Sequence, residues 1–315
     1  MGWLDNFNRK KRPSSADAPE QHTYGMHCPR PLQTCLELGD FRFIRAIGHG
    51  FASTVFEAEH VGSRIRCVVK VCMKTRLNPD EMRRIRREIK NHSNVFHRHI
   101  LTFYAAFEDK AAFYLVMEYA VQGDLYSYIK RHYGGKVPIQ RYITFILQPL
   151  LLALSYLHTQ GIIHRDIKPE NILVDQNNVI RLCDFGLSIH SYNERPRSIV
   201  GTLEYMAPEV ISCSNTVFTD KVDVWAIGVL TYECVLGKSP FKATTDEEIK
   251  RHIMGRHIQL DGISNNAIRD LIDKCLTLDP VLRPSVKDLL QHEALHPATI
   301  SSKDCCNRKR SFSFS

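Results

Sequence analysis

The period of hydrophobic and polar positions changes partway along this chain. From Phe41 to about Tyr119 the apolar runs are short and rich in β-branched and aromatic residues: Phe41 to Ile44, Thr54 to Ala58, Cys67 to Val71 and Phe113 to Met117. Runs of this kind, bounded by turn residues, predict strands. One stretch among them differs. Asp80 to His92 holds no Gly or Pro and follows the helix-start signal Asn78-Pro79-Asp80, so it predicts a single helix inserted in the sheet. Beyond Gly123 the apolar spacing becomes helical, predicting helices over Tyr142 to His158, Asp220 to Leu236, Asp246 to Met254, Ala267 to Thr277 and Ser285 to His292. Strands first and helices after, joined near Glu118 to Gly123, predict an α+β chain with a small sheet lobe on a larger helical lobe. A ligand cleft is expected at the seam between them.

Outside this body, residues 1–40 carry Pro, Ser, Gln and His without periodicity and predict a mostly disordered leader. Residues 296–315 predict a basic tail. With 315 residues and 43% hydrophobic and 24% charged content, the chain has the composition of a folded protein with a substantial core. The longest apolar run, Ile143 to His158, is interrupted by Gln148, Pro149 and Ser155, so a buried helix is expected there and no transmembrane segment. The N-terminus passes from Arg9 to Arg12 into Pro13 with no apolar stretch, which predicts no signal peptide. Ten scattered cysteines include no C-x-x-C, which argues against a zinc site or disulfide framework and fits a reducing compartment, cytoplasmic or nuclear.

Charge changes the picture in one place. Of the net +8, the main excess within the body lies between Lys74 and Arg98, where eight basic residues face three acidic ones. Nucleic acid could bind such a run. A solvated helix face is the ordinary explanation, and the pI of about 8.9 gives no reason to expect a specific nucleic-acid partner.

The candidate chemistry is concentrated in four places. Gly48, Gly50 and Ser53 stand at glycine-loop spacing and lead into a strand rather than a helix, which disfavours a dinucleotide-binding turn; glycines there let backbone approach phosphate oxygens. Lys70 lies in the apolar run Cys67 to Val71, where it either faces solvent or is buried with a carboxylate, for which Glu88 is the natural candidate. The stretch from His164 to Asn171 supplies a carboxylate at Asp166, an ammonium at Lys168 and an amide at Asn171. One acceptor for a hydroxyl proton, one cation and one metal-binding oxygen in a single loop suit phosphoryl transfer. Asp184, in Asp184-Phe185-Gly186, follows a further apolar run and offers a second carboxylate to Mg2+. Ala207-Pro208-Glu209 closes the segment that begins there.

With these motifs in this order, the chain from Phe41 to Leu295 resembles a eukaryotic protein kinase. The resemblance implies the bilobal kinase fold, with 41–119 as small antiparallel lobe and 120–295 as large lobe. It implies ATP and Mg2+ as cofactors. Gly48 and Gly50 would cover the phosphates; Lys70, fixed by Glu88, would hold them; Asp166 would orient the acceptor hydroxyl and Lys168 neutralise the moving phosphoryl. Asn171 and Asp184 would bind metal. Ile47, Val55, Val68, Met117, Glu118, Ala120 and Leu173 would line the nucleotide site, with Met117 limiting its depth. Glu209 would pair with Arg283 as a structural brace, and Asp223 and Trp225 also match family positions, with structural roles implied. Lys168, together with Thr202, is similar to serine/threonine rather than tyrosine kinases. Within those, Tyr114 to Ala120, Gly201 to Tyr205, Lys221 to Trp225 and Gly237 to Phe241 are most like the Aurora group, although calmodulin-dependent and polo-like kinases share some of these features. Val68, Ser53 and His92 depart from the usual pattern without removing a catalytic group.

The same resemblance implies a regulatory phosphosite at Ser198, captured by Arg165 and Arg87, and an activating protein on the small lobe. Ser14, Ser198 and Ser311 each follow basic residues, so protein substrates with upstream Arg or Lys are expected. Asp124, Glu170 and Glu233 match positions that receive such cations, although Asp124 could equally cap a helix. Cys183 is either a thiol reachable behind the nucleotide or a small buried hydrophobe. A catalytically silent scaffold of the same fold and a small-molecule kinase are the remaining readings.

Overall fold

A computed structural model describes residues 21–34, 36–50, 52–191, 201–212 and 218–296. The small lobe is an antiparallel sheet of six strands: β1 (Gln21–Tyr24), β2 (Phe41–His49), β3 (Ser53–His60), β4 (Arg66–Met73), β5 (Phe103–Glu108) and β6 (Ala112–Glu118), in the order β1-β5-β6-β4-β3-β2. Alternation sets its two faces. Val69, Val71, Phe56, Tyr114 and Phe107 bury one side, while Val68, Cys72, Phe113, Leu115 and Met117 bury the other against α1 (Pro79–Ser93). Asn78 and Glu81 form a reciprocal capping box at the start of α1, matching the predicted start signal to within a residue.

The expectation of a disordered leader through residue 40 does not hold from residue 21 onward. Cys28, Leu32 and Leu36 recur every fourth position and are buried on the outer face of the sheet beside Phe41, Phe43 and Phe107. Their burial supplies the apolar area that orders this segment. β5 was also not anticipated, because Phe103 to Glu108 carries Ala105 and Ala106 where β-branched residues would have marked a strand.

The large lobe packs α2 (Leu125–Tyr133), α3 (Ile139–Thr159), α4 (Lys221–Leu236), α5 (Asp246–Met254), α6 (Asn266–Cys275) and α7 (Val286–Leu290) around one core. α3 is the one helix among the described residues long and apolar enough to cross a membrane. It is the core helix expected from its interruptions: Ile146, Leu147, Leu150, Leu151, Leu154 and Leu157 are buried in the lobe. Pro149 has no N–H for a carbonyl one turn back, and residues Ile143–Leu147 relax into a wider π turn. Four short strands, β7 (Gly123–Asp124), β8 (Ile162–Ile163), β9 (Ile172–Val174) and β10 (Ile180–Leu182), lie beneath the small lobe and carry the loops of the cleft.

Candidate active site

β4 and α1 build the upper wall. Lys70 pairs in register with Val55 on one side and Leu115 on the other, which turns its side chain toward α1. There Nζ meets Glu88 Oε1 at 2.7 Å, with Glu88 almost fully buried. Nζ also lies 3.4 Å from Asp184 Oδ1, across the cleft. Burial by itself would lower the pKa of the ammonium, but the Asp184 and Glu88 carboxylates outweigh it and hold Lys70 charged well above the usual lysine range. Val68 sits opposite Met117 in the sheet, and Val68, Met117 and Ala120 share one apolar cluster with Val55 and Leu173. The residues expected to line the nucleotide site therefore form a continuous surface, with Ile47 exposed at the far end of β2 and Glu118 held to Thr102 by its side chain and its backbone N–H. In the glycine turn Gly50 N–H donates to the Ser53 carbonyl at 2.8 Å, and a Cβ on Gly50 would sit 2.8 Å from Ser53 Oγ. A side chain there would require the Ser53 hydroxyl to rotate away.

The lower wall is the loop from His164 to Asn171. Its backbone is held from below: Asp223, buried on α4, accepts from His164 N–H at 3.0 Å and Arg165 N–H at 2.8 Å, with Arg165 in the left-handed region at φ 70°. His158 donates to the same carboxylate at 2.8 Å. Asp166 Oδ2 takes Lys168 Nζ at 2.9 Å and Asn171 Nδ2 at 2.7 Å, while Asp166 Oδ1 is buried and has no hydrogen-bond partner among the described residues. Lys168 Nζ also donates to Thr202 Oγ1 at 2.8 Å, tying the loop to the segment that leads to Ala207-Pro208-Glu209. Because the amide nitrogen of Asn171 is committed to Asp166, its oxygen is the atom a cation would take. Asp184 stands at φ 61° beside this loop, Cys183 N–H donating to the Asn171 carbonyl at 2.9 Å, and its carboxyl is pulled down to about 2 first of all by the Lys70 ammonium. With its side chain 46% exposed, Asp184 presents an ionised oxygen to the cleft. Hard oxygen donors from Asn171 and Asp184, on segments joined by the bond from Cys183 N–H to the Asn171 carbonyl, are the kind a divalent cation accepts.

Other expected residues have different surroundings. Asp124 caps α2, accepting from Ser127 N–H at 2.7 Å. Glu233 accepts from the Tyr205 hydroxyl, and its pKa is raised by burial first and then by neighbouring Glu170 and Glu204, which offset that hydrogen bond. Glu170 is exposed on the turn Pro169–Asn171. Cys183 is buried, and burial pushes its thiol far up, the behaviour of the small hydrophobe rather than the reachable nucleophile. Ser198 lies outside the described residues, as do Ser14 and Ser311; Arg165 and Arg87 are described. In the basic stretch Lys74 and Arg86 both pair with Glu108, and Arg83 pairs with Asp80, so part of that charge is internally neutralised.

Two residues named in the sequence have roles there that it did not show. His92 stacks on Phe185 with ring centres 4.3 Å apart and donates through Nε2 to the Leu101 carbonyl, 2.7 Å away, linking α1 to the Asp184 turn. His164 reaches the Cys183 carbonyl at 3.0 Å and packs edge-on against Phe185. Only a long-range contact gives these rings their place. Periodicity carries no such signal.

Comparison with known proteins agrees with this geometry. The protein kinase domain family matches residues 41–295, and the chain belongs to that family. The matched span takes in both walls of the cleft. It is 34% identical over 258 residues to Aurora kinase B of Danio rerio, covering 82% of this chain and 79% of that one. It is 36% identical over 256 residues to Aurora kinase C of Mus musculus, covering 81% and 91%, and 34% identical over 279 residues to Aurora kinase B-A of Xenopus laevis, covering 88% and 75%. Within the protein kinases this is a serine/threonine kinase of the Aurora group, a transferase whose family implies protein substrates, ATP and a divalent metal.

Proposed function

We propose that this chain uses ATP with Mg2+ to phosphorylate serine or threonine in protein segments with Arg or Lys upstream, and that phosphorylation of Ser198 activates it. One observation carries the catalytic reading: Asp166 Oδ1 is a buried acceptor with no partner among the described residues, beside Lys168 and on the wall that faces Lys70. Asp166 takes the proton of the acceptor hydroxyl as that oxygen bonds to phosphorus and the bond to the leaving diphosphate breaks. Lys168 offsets the charge on the transferring group, and Lys70 holds the diphosphate that remains. Asn171 and Asp184 would hold the metal, which supplies charge neutralisation between the phosphates. The full set of groups is what a catalytically silent scaffold would not need.

Preference for basic substrates is supported by the neighbouring carboxylates Glu170, Glu233 and Glu204, whose mutual repulsion a substrate cation would relieve. A cavity of about 210 Å3 lined in part by Tyr126, Pro169 and Glu233 adjoins them. Capture of phospho-Ser198 by Arg165 and Arg87 follows from charge: a phosphate adds nearly two negative charges that need cations to order a loop. A cytoplasmic or nuclear setting goes with this reading.

The test is incubation with Mg-ATP and a peptide panel, with mass mapping of the products. Phosphate on Ser or Thr downstream of Arg, absent with Asp166→Asn, is the expected result. Indifference to upstream Arg would remove the substrate preference, and full activity of Ser198→Ala would remove the proposed switch.

A further inference from the structure

The group resemblance places an activating protein on the small lobe, yet the outer edge of the sheet there is already taken by the chain itself. β1 pairs antiparallel with β5, Thr23 opposite Ala106 and Tyr24 opposite Ala105. Immediately after it, Gly25 N–H donates to the Tyr104 carbonyl at 2.8 Å and Met26 N–H to the Ser93 carbonyl at 3.2 Å. Ser93 ends α1, where a helix leaves carbonyls without internal partners. The segment thus satisfies one end of α1 and one edge of the sheet within two residues.

Three further contacts hold it there. His27 stacks on Phe96, just past the end of α1, with ring centres 3.4 Å apart. The chain then doubles back: Tyr24 Oη donates to the Thr34 carbonyl at 2.5 Å, and His22 Nε2 meets the Leu36 carbonyl at 3.1 Å. Leu32 and Leu36 are fully buried on the outer face of the sheet, and Cys28 nearly so. The crossing point has no room for a side chain, since a Cβ on Gly25 would run into the Phe103 carbonyl oxygen.

We infer that residues 21–36 are a built-in brace for α1, positioning Glu88 against Lys70 and so doing in cis part of the work otherwise left to a partner on this lobe. The physical basis is leverage. Glu88 lies little more than one turn before Ser93 on the same helix, and α1 is otherwise held chiefly by the Phe185–Leu187 turn and β5, so the segment supplies the support at its C-terminal end. With the segment detached, α1 loses its carbonyl partner and the Phe96 stack together, and the 2.7 Å contact between Glu88 and Lys70 is no longer enforced from behind. The inference rests on the reading of Lys70 and Glu88 as the phosphate-holding pair. Among the described residues of this segment, the buried Cys28, Leu32 and Leu36 belong to the outer apolar cluster and not to the one lining the cleft, so the segment acts by positioning.

The full chain would be compared with Gly25→Val, with Gly39→Ala as control, and with a chain starting at residue 37. Gly39 has open space around its Cβ position, so its variant is expected to behave as the parent. Gly25→Val is expected to lower kcat/KM about tenfold, the scale of a small misplacement remote from the chemistry, while α1 amides exchange faster with solvent. A synthetic peptide of residues 21–36 added to the shortened chain should restore activity and α1 protection together. Full activity in either variant overturns the brace. So does lost activity with unchanged α1 exchange, because the loss then has another origin. If the shortened chain does not fold, Gly25→Val decides alone. Asp166→Asn in the unmodified chain tests the catalytic reading separately: activity that survives it would sink that reading whatever the brace does.

Discussion

Two ion pairs, one in each lobe, show how differently the same chemistry can be used. Arg283 and Glu209 in the large lobe form a closed unit. Both guanidinium nitrogens of the fork meet the carboxylate, at 2.8 and 3.0 Å, and the remaining donors go to the Thr277 and Lys221 carbonyls at 3.0 and 2.7 Å, with the Trp225 ring 5.1 Å away. The arginine side chain has no exposure at all. Lys70 and Glu88 in the small lobe are open by comparison. Lys70 keeps 18% of its side-chain surface, has a second carboxylate at 3.4 Å, and depends on a helix that the sheet holds mainly from one side. A pair whose every donor is internally satisfied stiffens the fold. One that leaves a cation facing a cleft, on an element able to shift, can serve catalysis and its control.

Breaking each pair should therefore produce opposite signatures. Asp166→Asn, which belongs to neither pair, sets the upper limit for a purely chemical loss: kcat is expected to fall about 10²- to 10⁴-fold with the thermal midpoint unchanged. Removing a partner from the closed pair comes next. Arg283→Ala should cost about 3–5 kcal/mol of stability by leaving Glu209 buried and uncompensated, measured by denaturant unfolding, and a cost below about 1 kcal/mol would show that the unit is not closed. Glu88→Gln should give the reverse, a fall in kcat/KM of about 10²-fold with little change in unfolding. A matching loss of stability would erase the contrast.

Acid unfolding sharpens the comparison further. His92, stacked against Phe185 behind the open pair, is fully enclosed, and burial pushes its pKa down to about 4. Below the unfolded value of 6.5 the unfolded chain binds the proton that the folded chain refuses, so stability is complete above pH 6.5 and falls toward pH 4. The slope for this one group is about 1.4 kcal/mol per pH unit, and His92→Gln should flatten it. An unchanged acid limb would show that His92 is not the group responsible. The smallest effect is at the surface: Asp124→Ala should cost about 1 kcal/mol through the lost cap of α2. A large loss in preference for basic peptides, with no change in stability, would instead assign Asp124 to substrate binding.

Local signals carried far in this chain. The capping pattern at Asn78 located α1, and helices over Asp246 to Met254 and Lys221 to Leu236 follow directly from spacing and caps. The catalytic loop was legible because its residues are contiguous: Asp166, Lys168 and Asn171 hydrogen-bond one another within six positions. The pairing of Glu209 with Arg283, by contrast, spans 74 positions, and only the family likeness could suggest it. β5 and the folded part of the N-terminal segment went unread for one reason. Gly25 is small because the Phe103 carbonyl lies against it, and Ala105 and Ala106 are small members of the two apolar layers; a small residue looks like a weak element until its neighbour is known.

Taken alone, the order of residues determined the chemical inventory of this kinase: which side chains can accept a proton, neutralise a phosphate or ligate a cation, and which stretches must be strand or helix to bury their apolar faces. Folding decided the rest. It set Asp184 beside Asn171, turned His92 onto Phe185, left Asp166 Oδ1 without a partner among the described residues and laid Gly25 to His27 against the end of α1. Those facts depend on contacts between segments far apart along the chain, whose geometry is fixed by close packing rather than by any local preference.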